Sequence, residues 1–189
     1  MMRLSSLFIG VMICFLACKN DSAYSKLVKE ELSKDVRNDS LFLGLHFGMT
    51  AGEFYDRCWE LNREGVVREG LSNTTVHYKV EGLPFAAAME FWPVFKDDRI
   101  QAMNAHAYYT AWAPWNREFW SDILIDELKG LLEDWYGEGF IPVPSPGYGK
   151  AYVKVDGNRQ ITIWYERDER VEILFSDLTN DIGVLNFET

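Results

Sequence analysis

Two kinds of hydrophobic spacing follow one another along this chain, and they do so twice in the same order. From Asn116 onward, Leu124, Leu128, Leu131 and Trp135 recur at helical spacing. Ile123 and Leu132 widen the stripe, and Asp126, Glu127, Lys129, Glu133 and Asp134 take the opposite side. This spacing predicts a helix that begins after Pro114 with Asn116 as its cap and stops at Gly137 and Gly139. Pro142, Pro144 and Pro146 then prevent its resumption. Beyond them the period falls to two. Ala151 to Val155, Gln160 to Glu166 and Val171 to Ser176 read as strands, joined at Asp156-Gly157 and across the polar turn Arg167 to Arg170.

The earlier unit has the same order. Thr50-Ala51-Gly52-Glu53 is a capping box, in which hydroxyl and carboxylate each accept an amide at the helix entrance, and Met49 with Phe54 forms its hydrophobic staple. Phe54, Cys58 and Leu61 continue one face to a stop near Gly65. Strands are expected at Thr74 to Val80, Phe85 to Phe91 and Ile100 to Tyr109, with a turn at Lys96-Asp97-Asp98. The fold class expected is therefore α+β: two tandem helix-plus-three-strand units, about 41–110 and 111–189. They would form an antiparallel sheet of about six strands with two helices on one face. Trp164, Leu174 and Tyr152 fall on the face away from those helices, an unusual aromatic load for a wet surface.

The first residues change the picture from fold to place. After Arg3 the chain is apolar from Leu4 to Ala17, too short for the roughly 20 residues a bilayer-spanning helix needs, and is followed at once by Lys19-Asn20-Asp21. Residues 1–17 read as a secretory signal. The end of this stretch, Phe15-Leu16-Ala17-Cys18, resembles the bacterial lipoprotein box, and the resemblance implies cleavage before Cys18 with lipid on its sulfur and new amino group. Lys19 after that cysteine resembles the sorting preference of outer-membrane lipoproteins, facing periplasm or cell surface. Residues 18–40 are polar and of mixed charge. They read as a flexible tether with at most a turn or two of helix around Ser25 to Lys34, and 41–189 as one domain.

Charge and cysteine usage narrow the partners. Removing residues 1–17 deletes one basic residue, Arg3, and no acid, which leaves 18 basic residues against 29 acidic and a net charge of −11. Nucleic acid and anionic membrane surfaces repel such a protein, so the membrane is reached through acyl chains on Cys18 and cationic partners are favoured. Cys58 would be the one cysteine left, a buried thiol on a helix whose neighbours Asp56 and Glu60 oppose thiolate chemistry.

Gly48-Met49-Thr50 with Glu53-Phe54 resembles the turn opening the first helix of small outer-membrane lipoproteins of the β-barrel assembly machinery. Their relatives by fold include the β-lactamase-inhibitor type of tandem α/β repeat. The resemblance implies a binding surface on a concave antiparallel sheet.

His46, His77 and His106 lie in different segments, without metal-ligand spacing, and read as structural or surface residues. There is no phosphate loop or serine elbow, and the acid pairs Asp97-Asp98 and Asp168-Glu169 sit where turns need polar residues. No catalytic residue, metal or cofactor is expected. The crossover from Tyr108 to Trp120 concentrates aromatic rings, and Tyr109, Trp112 and Trp115 are the candidate contacts with an envelope protein or glycan. The function expected is a lipid-anchored, non-catalytic interaction module of the cell envelope. The alternatives are an inhibitor or sequestering protein for a cationic hydrolase, or an envelope hydrolase.

Overall fold

A computed structural model describes residues 22–72, 74–180 and 185; residues 1–17, read above as a secretory signal, and Cys18 lie outside them. In chain order the elements are helix α1 (Ala23–Ser33), helix α2 (Ala51–Arg63), strands β1 (Val67–Glu69), β2 (Val76–Val80), β3 (Ala87–Lys96) and β4 (Arg99–Tyr109). Helix α3 (Ser121–Tyr136) follows, then β5 (Ile141–Pro142), β6 (Tyr148–Asp156), β7 (Arg159–Arg167) and β8 (Arg170–Asp177). The fold is α+β, with three helices and one antiparallel sheet of eight strands in the order β1-β2-β3-β4-β8-β7-β6-β5. None of these helices is long and apolar enough to cross a membrane.

The two strands beyond the expected six are β1 and β5, edge strands too short to display a period of their own. Pro142 fits β5 because an edge strand has no second partner needing its missing amide. The capping box forms as read: the Thr50 hydroxyl accepts from the Glu53 amide at 3.3 Å, and the Glu53 carboxylate from the Thr50 amide at 2.8 Å.

Period two decides which face is buried. Met103, Ala105 and Ala107 of β4 stand beside Phe175, Ile173 and Val171 of β8, and all six join one core with Phe54 and Leu61 of α2 and Leu124, Leu128 and Leu132 of α3. Each large side chain so buried stabilises by about 1.5–3 kcal/mol.

Three expectations need correction. The helix after Pro114 begins at Ser121, not near Asn116, because Arg117–Phe119 forms a 3-10 turn. Phe119 there packs on Phe85 and Tyr109 at ring separations of 5.0 and 5.7 Å, and Trp120 turns extended before the helix starts. Asn116 instead donates from its side chain to the Ala111 carbonyl. Second, Tyr152 faces α3, where its hydroxyl donates to Asp126 at 2.9 Å; its neighbours Val153 and Val155 take the other face of β6.

Third, much of the segment read as a flexible tether is folded. Ser22 caps α1 by accepting from the Ser25 amide, and Tyr24, Leu27 and Val28 pack on Val153 and Val155, the face of β6 opposite α3. Arg37 then donates to Asp177 at 3.0 Å and the Asn38 amide to Asn158 at 2.6 Å. Gly157, at φ +58°, is needed here on two counts: a Cβ would strain the turn and would lie 2.2 Å from the Val36 carbonyl oxygen. Both faces of the sheet thus carry helices, and a polar chain earned its order from distant contacts.

Candidate functional site

The three aromatic residues singled out in the crossover do not share a surface. Tyr109 ends the inward alternation of β4, is 1% exposed, and is wedged between Phe85 and Phe119 at 5.5 and 5.7 Å. Its hydroxyl donates to Glu127 on α3, and burial, with that carboxylate, pushes the phenol well above its ordinary range. It is a core residue, so its ring offers no contact to a ligand. Trp112 is half-buried against the core, with its indole N–H buried and unpartnered. Trp115 is 83% exposed.

The histidines are brought together in part. Register places Arg68, His77, Glu90, His106 and Glu172 side by side on five strands, on the face away from α3. Arg68 meets the His77 Nε2 at 3.2 Å, and His77 Nδ1 lies 3.8 Å from Glu90, which also accepts from the Leu71 amide and the Thr75 hydroxyl. His106 packs against Trp92 and Tyr108, at 5.7 and 6.0 Å, and its Nδ1 is buried without a partner. Burial holds both imidazoles below their ordinary pKa, helped by Arg68 for His77 and Arg170 for His106. His46 stands apart, with Nδ1 2.9 Å from the Phe47 carbonyl. Among the described residues no three of His, Cys, Asp and Glu are grouped to hold a metal.

The strongest site is one that motif reading passed over. Arg159, Ile161 and Ile163 share the inward face of β7, and Arg159 lies where α3 has just ended. Its guanidinium therefore stacks over the Tyr136 ring, at 4.6 Å from the centroid, instead of meeting another aliphatic layer. Nη1 donates to the Ser40 carbonyl at 2.5 Å and Nη2 to Asp156 at 2.8 Å, which leaves Nε–H buried with no partner. The Tyr136 ring is held by Phe175 at 5.8 Å, and its hydroxyl is likewise buried with no partner. Burial pushes that phenol strongly upward, against the pull of Arg159.

The opposite wall is the turn from Ser40 to Gly44. Leu43 and Gly44 have positive φ, and the Leu45 amide returns to the Phe42 carbonyl at 2.9 Å, so the loop doubles back and Phe42 reaches Phe91 and Phe175. Tyr78 and Trp135 complete a cleft of about 530 Å³. Arg159 and Tyr136 line this cleft beside aromatic and aliphatic walls, with Arg159 Nε and the Tyr136 hydroxyl themselves closed off from it. The signal for it lay in one residue: an arginine at an inward position of a strand otherwise apolar on that face.

No known protein family matches the chain, and neither a curated protein nor a solved structure matches it significantly. Function is therefore argued from the site itself.

Proposed function

We propose that this protein is a lipid-anchored, non-catalytic binding module of the bacterial cell envelope, and that the cleft at Arg159 and Tyr136 is its ligand site. The observation that carries this reading is the cleft of about 530 Å³ itself, walled by Leu41, Phe42, Leu43, Tyr78 and Trp135, with the buried guanidinium of Arg159 stacked on Tyr136 at its edge. The described lining residues provide donors, rings and a permanent charge, with no carboxylate, imidazole or thiol among them. That set suits holding a molecule more than transforming it. Small molecules carried by full-length protein from native envelope, identified by mass spectrometry, test the reading. A species retained by the wild type should be lost from a Leu43→Trp variant, whose indole fills the cleft; retention by both proteins sinks it.

The anchor rests on the Phe15 to Cys18 resemblance, with outer-membrane placement following Lys19. Four residues separate Cys18 from α1, a span of at most about 18 Å, so a lipidated Cys18 would hold the docked body close to the bilayer. Labelling with an alkyne fatty acid should mark the wild type and not Cys18→Ser; equal labelling of both removes the anchor.

We also propose that the domain is a doubled unit, enlarged from the sequence expectation to one helix and four strands per half. α2 with β1 to β4 and α3 with β5 to β8 would then meet along β4 and β8. An experimental structure in which the halves superpose only with their strands out of order would refute this.

A second reading, capture of a cationic envelope protein, is favoured by the exposure of Trp115 together with the acidic balance. Pull-downs that do not weaken with salt count against it.

A further inference from the structure

We infer that the groove between α2 and the sheet edge β1 is a separate docking site, which takes an extended segment of a partner protein as a further antiparallel strand. The segment it selects carries a basic, an acidic and an apolar residue in that order. The inference is independent of the cleft at Arg159, with which the groove shares no lining residue.

The sheet has two edges, and they differ. β5 contains Pro142, which has no amide to offer a further strand, whereas β1 contains no proline. The Gly70 amide donates to the Thr75 carbonyl at 3.0 Å, so alternation turns the backbone groups of Arg68 toward β2 and those of Val67 and Glu69 outward. The Asn62 side chain donates to the Val67 carbonyl at 3.0 Å. No described residue bonds the Val67 amide or the amide and carbonyl of Glu69. Three outward groups remain for a strand.

Beside this edge α2 presents what proteins usually bury. Tyr55 and Trp59, one helical turn apart, are 64% and 63% exposed, and with Val67 and Glu69 they wall a groove of about 480 Å³. Rings so placed are the anchors that carry much of the energy of protein recognition. The Arg63 guanidinium lies 4.9 Å from the Trp59 ring centre, so this ring already accepts a cation.

Alternation then decides the sequence. A strand added antiparallel, as every pairing in this sheet is, sends the residues opposite Glu69 and Val67 to the groove side and the residue opposite Arg68 to the other. Opposite Glu69 it meets an exposed carboxylate without a described partner, which favours lysine or arginine. Opposite Arg68 it meets a guanidinium that touches His77 and no described carboxylate, which favours an acid. Opposite Val67 it lies toward the rings, which favours an apolar residue. A second copy of the chain fits worse, because two such acidic bodies repel and pairing about Arg68 sets two guanidinium groups side by side.

The test uses full-length protein in lipid nanodiscs and fluorescein-labelled peptides read by anisotropy. Val-Thr-Lys-Glu-Val-Thr-Val matches the edge, and Val-Thr-Glu-Lys-Val-Thr-Val has the same composition with the charges exchanged. The matched peptide should bind about tenfold tighter, since two attractive cross-strand pairs replace two repulsive ones. In an Arg68→Glu, Glu69→Lys protein the preference should reverse, which a loss of folding cannot mimic. Trp59→Ala should weaken the matched peptide about tenfold and leave the melting temperature almost unchanged, the ring being mostly exposed. Methylating the backbone nitrogen of the peptide lysine keeps the side chains and deletes the bond to the Glu69 carbonyl, so binding should be lost. Equal binding of the two peptides, no reversal in the exchanged protein, full binding of the methylated peptide, or no binding at all overturns the inference. So does a wild-type dimer that Trp59→Ala disperses in sedimentation, because the edge then belongs to a second copy.

Discussion

The Tyr24 hydroxyl donates to Gln160 Oε1 at 2.8 Å, joining the first turn of α1 to β7 across 136 residues of chain. Both partners are almost wholly buried, and Gln160 Nε2 also donates to Thr162 and to the Leu185 carbonyl. Removing the tyrosine oxygen leaves a buried acceptor short of one donor. Tyr24→Phe should therefore cost about 1–2 kcal/mol, and Tyr24→Ala about 3–5, by adding the loss of packing on Val153 and Val155. Urea unfolding checks both values. If Tyr24→Ala unfolds like the wild type, α1 is not part of the cooperative fold and the segment is the loose tether its composition suggests.

Acidification from neutrality should destabilise the protein, through the histidines of the sheet. His77 and His106 both titrate below their ordinary value of about 6.5, chiefly because burial disfavours the imidazolium. Their folded pKa values are lower than in the unfolded chain, so the unfolded state takes up protons first. Their contribution is complete above about pH 6.5 and is lost as pH falls from there toward the folded values. Carboxylates held low, such as Asp177, act in a more acidic window. The urea midpoint should fall between pH 7.5 and pH 5.5, and fall less in His106→Gln. A midpoint that rises over this interval contradicts the burial of these rings.

What the sequence made legible was what short-range chemistry determines. The Thr50 to Glu53 box lies within one turn of helix, and the inward run Met103, Ala105, Ala107, Tyr109 is plain from period two alone. Applied strictly, that run already assigns Tyr109 to the core, and its aromatic neighbours in the crossover obscured this. The rest depends on distant partners. α1 looked marginal because its short stripe of Tyr24, Leu27 and Val28 is stabilised by Val153 and Val155 of β6. The row from Arg68 to Glu172 needs a register that no strand specifies by itself. The cleft needs Ser40, Tyr78, Tyr136 and Arg159 to converge from four separate segments, and only the inward arginine hinted at it.

The β3–β4 hairpin offers a gain in stability. Asp97 and Asp98 have φ of +50° and +60°, both in the left-handed region, as the two central residues of a type I′ turn require. Aspartate tolerates that geometry at a cost that glycine avoids. Asp98→Gly should stabilise by about 0.5–1 kcal/mol, the lost steric penalty slightly exceeding the added freedom of the unfolded chain. The loop is exposed and none of its residues lines the cleft, so ligand binding should not change. A lower melting temperature would show that the Asp98 side chain contributes more than its backbone strain costs.

Cys58 should behave as an inert thiol despite being the free cysteine of the described residues. It sits half-buried on α2, and burial pushes its pKa up to about 11, against a smaller pull downward from Arg57. At pH 8 a thiol of that pKa is about 0.1% thiolate, whereas an ordinary cysteine is about a quarter ionised, and only the thiolate attacks a disulfide. In a Cys14→Ser, Cys18→Ser protein, reaction with a water-soluble aromatic disulfide should be roughly a hundredfold slower native than in guanidinium. The native rate should also keep climbing up to pH 10, because its midpoint lies beyond that range. A native rate within threefold of the unfolded one would mean that α2 exposes this face, and the contacts of Cys58 with the core would have to be abandoned.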